Sequence, residues 1–136
     1  MAVTTKTDEL PIKVSEDVVR VRQLVRTRGV EIGLGLVDQT KVVTAASELA
    51  RNTLEYGGGG VMRLEVLLDG MRKGLRLSFE DKGPGIPDLD LALKDGYTSG
   101  SGLGLGLSGA RRLSNDFHIH SVVGEGTTVT ITRWNR

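Results

Sequence analysis

The stretch Gly100-Ser-Gly-Leu-Gly-Leu-Gly-Leu-Ser-Gly109 decides how the rest of this sequence is interpreted. It contains five of the chain's 19 glycines and runs directly into Ala110-Arg-Arg-Leu113, which is predicted to be helical. Glycine is costly inside an ordered element, so such a cluster needs a physical reason. A glycine-rich turn that opens a helix presents unpaired backbone N–H groups and the positive end of the helix dipole. The stretch therefore predicts a phosphate-binding site.

The composition is typical of a soluble globular protein. Of the 136 residues, 38% are hydrophobic and 26% are charged, and the net charge is +1, which argues against a nucleic-acid or anionic-membrane partner. The sequence has no cysteine, which excludes disulfides, thiol catalysis and cysteine-based zinc sites. No apolar run approaches the length of a membrane span, and residues 1–6 lack the apolar core of a signal peptide. We expect a cytoplasmic protein with a flexible N-terminus over residues 1–8 and a single domain over residues 9–136.

Two long helices are predicted in the first half of the chain. Ser15 is a good cap for the first, with Glu16 and Asp17 in its first turn. The apolar stripe of this helix has helical spacing: Val14, Val18, Val21 and Val25. Four arginines lie mostly on the other side, where they form either a solvated face or a surface for an acidic partner: Arg20, Arg22, Arg26 and Arg28.

The second helix is expected to start at Asp38 or Thr40 and to run to about Tyr56. Glu48 and Asn52 are four residues apart, so they project side by side from adjacent turns.

Strand periodicity turns two polar side chains towards the core. A short edge strand is expected over residues 9–14, and a hairpin joins residues 61–68 to a strand that ends at Asp81. The alternation of that strand places Asp81 on the buried side, although the residue could instead leave the strand and cap the following turn. A last strand over residues 127–134 likewise turns Thr127 inward.

The remaining elements complete an α+β pattern. Residues 88–99 form a polar connection with one helical turn at residues 89–94, and a third helix covers residues 105–115. A strand at residues 117–122 pairs with the last strand, and its two histidines, His118 and His120, are expected to be surface or sheet residues. We expect a two-layer α/β sandwich with three helices on one face of a mixed, mostly antiparallel sheet.

Other glycine-rich phosphate sites fit the sequence poorly. Gly104-Leu-Gly-Leu-Ser-Gly109 matches GxGxxG, but residues 95–100 before it are not a strand, as a dinucleotide fingerprint requires. No glycine run is followed by the Lys-Ser/Thr pair of a P-loop, and the HRD and DFG signatures of protein kinases are absent from the sequence.

Four segments in a fixed order resemble those of the GHKL superfamily of ATPases and kinases. They are Glu48-Leu-Ala-Arg-Asn52, Asp81-Lys-Gly-Pro-Gly85, Gly100-Ser-Gly-Leu-Gly-Leu-Gly106 and Gly124-Glu-Gly-Thr127. The resemblance extends from about residue 12 to residue 134 and implies the ATP-binding Bergerat fold. Within the superfamily the sequence is similar to small anti-sigma-type serine/threonine kinases.

The resemblance implies a set of residue roles. Glu48 matches the general base, Asn52 the ligand of Mg²⁺ at the phosphates, and Asp81 the acceptor of the adenine amino group, supported by Thr127. Gly83 and Gly85 match glycines that allow close approach to the nucleotide. The remaining matches would wrap the phosphates: Gly100, Gly102, Leu103, Gly104, Leu105 and Gly106.

The resemblance also implies partners. The expected substrate is a serine on a STAS-domain antagonist protein, and the released kinase would bind and activate a PP2C-type phosphatase in a stress sigma-factor pathway. The alternative is an adaptor that holds nucleotide and sequesters a partner with little turnover. The segment between Pro87 and Gly100 is short, so any lid over ATP is expected to be small.

Overall fold

The computed structural model describes residues 2–94 and 103–135, with side chains from residue 106 onward in the second range. The elements in chain order are β1 (Val3–Ile12), α1 (Ser15–Glu31), α2 (Leu36–Glu55), β2 (Gly60–Asp69), β3 (Arg72–Asp81), α3 (Leu89–Ala92), α4 (Leu103–Arg112), β4 (Asp116–Val122) and β5 (Gly126–Asn135).

The five strands form one sheet in the order β1-β2-β3-β5-β4. The predicted α+β two-layer sandwich is confirmed, with one correction: every pairing between the described strands is antiparallel, so the sheet is not mixed. The sheet contributes a buried apolar face to the core, and helices α1, α2 and α4 pack on that face. The buried strand residues include Met62, Leu64, Leu75, Leu77 and Phe79.

The structure differs from the sequence prediction at the N-terminus. Strand β1 begins at Val3 rather than Glu9, and residues 3–12 pair with β2. The side chains of residues 3–7 are exposed, so the sequence lacks the apolar alternation that would reveal a strand. Backbone pairing holds this segment, together with a hydrogen bond that the hydroxyl of Thr4 donates to Glu65 (2.9 Å).

Both long helices start differently from the prediction. Ser15 is the first residue of α1 rather than its cap. The buried Asp17 carboxylate instead reaches back and accepts hydrogen bonds from the backbone N–H groups of Lys13 (2.8 Å) and Val14 (3.1 Å). Helix α2 starts at Leu36 after Gly35, so neither Asp38 nor Thr40 caps it. Asp38 lies in the first turn and forms an ion pair with Arg133 of β5.

The sheet face turned away from the helices, here called the open face, is polar. It carries the ion pairs Arg63–Glu9 and Arg76–Glu65 and the exposed side chains of His118 and His120. Among the described residues, the helices are all too short or too polar to cross a membrane.

Candidate functional site

The ends of two neighbouring strands bring Asp81 and Thr127 together. Asp81 closes β3, and the register pairs it directly with Thr127 near the start of β5. Both residues line one pocket of about 120 Å³ on the helix-covered side of the sheet. The other lining residues are Leu49, Asn52, Tyr56, Gly57, Pro84, Gly85, Ile86, Leu107 and Val129.

Asp81 both caps the turn that follows β3 and faces the pocket, the two alternatives that the sequence left open. One carboxylate oxygen, Oδ1, accepts a hydrogen bond from the backbone N–H of Gly83 (2.9 Å), as a turn cap would. The same side chain also faces the pocket. Burial raises the pKa of Asp81, although the backbone N–H groups of Gly83 and Thr127 act in the opposite direction. A partly desolvated carboxylate with unused acceptor capacity suits a ligand that presents an N–H donor.

Ser121 holds Thr127 in place, a role that sequence reasoning missed. The two hydroxyl groups lie 2.8 Å apart, and the Ser121 hydroxyl also accepts a hydrogen bond from the backbone N–H of Ile86 (2.8 Å). Ser121 pairs with Thr127 in the sheet, so the strand register alone places them side by side. This network fixes the Thr127 side chain before any ligand arrives.

Glycines allow segments of the protein to approach each other around Asp81. A Cβ at Gly57 would lie 2.4 Å from Cβ and Cγ of Asp81, and a Cβ at Gly83 would lie 2.7 Å from the Gly57 Cα. Gly85 has a φ of +77° and would place a Cβ 2.5 Å from the carbonyl oxygen of Val122. Gly83 and Gly85 therefore have a packing role of their own, and their contact with a nucleotide stays a prediction.

Helix α2 supplies two buried polar groups to the pocket. Asn52 and Tyr56 lie one turn apart, and both line it. Within the part of the chain that the structure describes, the Asn52 Nδ2 atom and the Tyr56 hydroxyl are buried without a hydrogen-bond partner. Such groups are rare in folded proteins, and a bound ligand is one way to satisfy them. Sequence reasoning missed Tyr56 because it ends a helix and looked like a boundary residue.

The glycine loop is described only in its second half. Gly100 and Gly102 lie outside the described residues, while Leu103, Gly104 and Leu105 form the first turn of α4. Gly106 packs against Asn52, since a Cβ there would lie 2.8 Å from Nδ2. Helix α4 is thus in close contact with the Asn52 amide.

Glu48 lies outside this pocket. It projects from α2 one turn before Asn52, its side chain is 39% exposed, and its Oε1 atom accepts a hydrogen bond from Arg51 (3.0 Å). Glu48 instead lines a groove between α1 and α2. The site thus has an enclosed part around Asn52 and Asp81 and an open part around Glu48.

The donors and acceptors that line the pocket are of the kinds that ATP and a hard cation require. Asp81 can accept from an amino group of a base, and the donors of Asn52 and Tyr56 can serve phosphate or sugar oxygens. Mg²⁺ keeps several waters and takes only one or two protein oxygens beside those of phosphates, so a single amide such as that of Asn52 meets its needs.

Comparisons with known proteins identify the family. Residues 37–135 match the family of histidine kinase-, DNA gyrase B- and HSP90-like ATPases. The chain is 46% identical over 120 residues to the serine/threonine-protein kinase RsbT of Bacillus subtilis, covering 88% of this chain and 90% of RsbT.

Solved structures show the same fold. A chain with the RsbU and RsbW domains of a Mycobacterium tuberculosis protein superposes with a TM-score of 0.68 at 25% identity; the alignment covers 97% of this chain and 33% of that longer one. The mycobacterial sensor histidine kinase MprB superposes with a TM-score of 0.55 at 21% identity, over 96% of this chain and 99% of MprB. The chain therefore belongs to the family of histidine kinase-, DNA gyrase B- and HSP90-like ATPases and is a homologue of the serine/threonine-protein kinase RsbT.

Proposed function

We propose that this protein is an Mg·ATP-dependent serine/threonine protein kinase that phosphorylates a STAS-domain partner protein. One observation carries the proposal: a single helix, α2, holds Asn52 inside the pocket and Glu48 outside it, one turn apart. A nucleotide bound in the pocket would thus have its phosphates next to a carboxylate that a second protein can reach.

The enclosed part of the site would bind the nucleotide. Asp81 would accept a hydrogen bond from the adenine amino group, with Thr127 held beside it by Ser121. Asn52 would face the phosphates, and the backbone of Leu103, Gly104 and Leu105 at the start of α4 would add N–H donors and the helix dipole. Family membership implies the ATP site. Mg²⁺ at the amide oxygen of Asn52 is our inference from the resemblance of Glu48-Leu-Ala-Arg-Asn52 to the family's segment and from the position of Asn52 in the pocket.

The open part would promote the transfer. ATP supplies the phosphoryl group and leaves as ADP. Glu48 would take the proton from the attacking serine hydroxyl of the partner as the new P–O bond forms. Arg51 now occupies Oε1 of Glu48, so the base would have to exchange this ion pair for the incoming hydroxyl.

Similarity suggests the partners. RsbT is a serine/threonine-protein kinase, and a structural relative carries RsbU and RsbW domains in one chain. We infer a partner-switching cycle in the cytoplasm: phosphorylation releases the STAS-domain antagonist, and the free kinase then binds and activates a PP2C-type phosphatase.

Phosphoryl transfer to purified STAS-domain partners tests the proposal. The protein is incubated with Mg²⁺, ATP labelled at the γ position and the STAS-domain protein that it retains in a pull-down. We expect label on a partner serine. A retained STAS-domain protein that stays unlabelled while ATP is bound would overturn the kinase assignment and leave the adaptor.

A further inference from the structure

We propose that helix α1 carries the docking ridge for the phosphoacceptor protein and that this ridge, formed by Arg22 and Arg26, binds an acidic segment of the partner. The inference rests on the proposed function, because it concerns how a partner serine reaches Glu48. It names a surface outside the nucleotide pocket and the chemistry of the segment that fits it.

The inner side of the ridge leads to the candidate base. Arg22 and Arg26 form one wall of the groove between α1 and α2, and Thr40, Thr44 and Glu48 lie on the opposite wall. The groove has a volume of about 220 Å³. A partner segment that lies along it would bring a serine next to Glu48 with both arginines beside the flanking residues.

The outer side of the ridge is partly apolar. Arg22 and Arg26 also line a broad surface groove of about 630 Å³ with Val19 and Val30 at its two ends. Val19 is 49% exposed and Val30 is 56% exposed. These residues recur at helical spacing, so they form one continuous stripe along α1. Exposed apolar side chains beside unpaired cations are common at protein interfaces, where arginine is enriched.

The charges on α1 distinguish these two arginines from their neighbours. Arg20 pairs with Asp17, and Arg28 pairs with Asp8 and Glu31. Arg22 and Arg26 have no acidic partner within ion-pair distance among residues 2–94 and 103–135. Two unpaired guanidinium groups next to each other repel, and a bidentate carboxylate on a partner would relieve this repulsion.

The same charges argue for a protein rather than a polyanion. The ridge has only two free cations and is flanked by the carboxylates of Glu31 and Glu48. The chain carries a net charge of only +1. A short acidic segment with an apolar residue matches this pattern better than a phosphate backbone, which needs an extended basic surface.

Charge reversal tests the ridge. The variant Arg22→Glu/Arg26→Glu is compared with the control Arg63→Glu, which changes an exposed arginine on the open face in the other layer. We expect the double variant to weaken binding of the STAS-domain protein about tenfold or more and to raise the KM for it similarly, with ATP affinity unchanged. The control should alter neither value more than about twofold.

Two further measurements complete the test. The affinity of the wild type for the partner should fall with added salt, and the double variant should lose most of that dependence. Replacing the acidic residues nearest the phosphorylated serine by lysine should restore binding to the double variant. Partner binding by calorimetry needs no turnover, so docking is tested even where the kinase assignment fails. Unchanged partner affinity and KM in the double variant would overturn the docking surface alone. If the wild type instead binds nucleic acid and the double variant does not, the ridge serves a polyanion and the proposal of an acidic protein segment is wrong.

Discussion

The two ends of the functional side of helix α2 differ in how completely the fold encloses them. Around Asn52, Tyr56 and Asp81, glycines bring neighbouring segments into contact, and polar atoms are buried. Around Glu48 the surface is open, and among the described residues Arg51 is the one side chain that pairs with its carboxylate. The groups proposed to bind the nucleotide are thus positioned by folding itself, whereas the proposed base is accessible to a second protein. The difference suggests that nucleotide affinity and transfer rate can be changed independently.

The largest effect is expected at the open end. Glu48→Gln keeps the size of the side chain but removes its basicity, so phosphoryl transfer should fall by about 10²- to 10⁴-fold. ATP affinity should stay within about twofold, because Glu48 lies outside the pocket. Single-turnover labelling and calorimetry measure the two quantities. If signalling in cells survives this change, catalysis is dispensable and the adaptor alternative is favoured.

The next effect concerns the carboxylate in the enclosed part. Asp81→Asn should weaken nucleotide binding roughly 10- to 100-fold, because it removes a charge-assisted hydrogen bond. Thermal unfolding of the free variant should change little, since an amide oxygen can still accept from Gly83. If calorimetry shows the same nucleotide affinity for Asp81→Asn as for the wild type, Asp81 is not part of the nucleotide site.

The pH dependence of binding sharpens this prediction. The raised pKa of Asp81 means that its carboxylate gains a proton at a higher pH than an ordinary aspartate. The ionised form is the better acceptor, so affinity should fall on acidification before an unperturbed aspartate would titrate. The same linkage predicts that Asp81 favours the folded state at low pH and loses this contribution as pH rises through its raised pKa. The Asp81→Asn variant should lack this component of the pH profile.

A pair of glycine substitutions tests the enclosure itself. Gly57→Ala should displace the Asp81 carboxylate, because the new Cβ would lie 2.4 Å from its Cγ, and nucleotide affinity should fall about tenfold. Gly109→Ala is the control: a Cβ at that position in α4 would have no atom of the described residues within 4 Å. The control should leave affinity unchanged and stabilise the protein by about 0.5–1 kcal/mol. Equal nucleotide affinity in both variants would contradict the enclosed arrangement.

A smaller effect is expected at Tyr56. Tyr56→Phe removes a hydroxyl that is buried without a partner in the described structure, so the free protein should be equally or slightly more stable. Nucleotide affinity should nevertheless fall about threefold to tenfold if the ligand supplies the missing partner. Opposite signs for stability and affinity would identify a ligand-binding hydroxyl. A loss of stability in the free variant would instead show that a water or another group satisfies it.

The smallest effect should follow Arg51→Ala. The ion pair with Glu48 is exposed, and such pairs contribute about 0.2–1 kcal/mol. The free energy of unfolding should therefore change by less than about 1 kcal/mol, as measured by urea denaturation. A larger loss would show that the open end is more constrained than its exposure indicates.

Strand periodicity predicted the inward direction of Asp81 and Thr127 from the sequence alone. Alternation places every second residue on one face, and the observed register pairs the two residues directly. The α+β sandwich followed from the same reasoning and is confirmed. That these residues contact a nucleotide stays a prediction.

What the sequence did not reveal depends on contacts between distant segments. Gly57 lies against Asp81 only because the end of α2 meets the end of β3, and no local pattern records that approach. Ser121 supports Thr127 across the hairpin between β4 and β5. The polar residues of β1 pair with β2 through backbone hydrogen bonds, which leave no mark in the side-chain pattern. At the start of α1, Asp17 rather than Ser15 satisfies free backbone N–H groups, because its carboxylate reaches back to those of Lys13 and Val14.

The position of β3 in the middle of the sheet has a consequence for exchange with solvent. Strand β3 pairs with β2 on one side and β5 on the other, and its last residue is Asp81. Its amide protons should exchange with deuterium only through opening of the whole domain, while those near a sheet edge exchange through local fraying. The backbone that carries the carboxylate proposed to recognise the base is thus part of the most slowly opening strand, so this carboxylate should keep its position while nucleotides bind and leave.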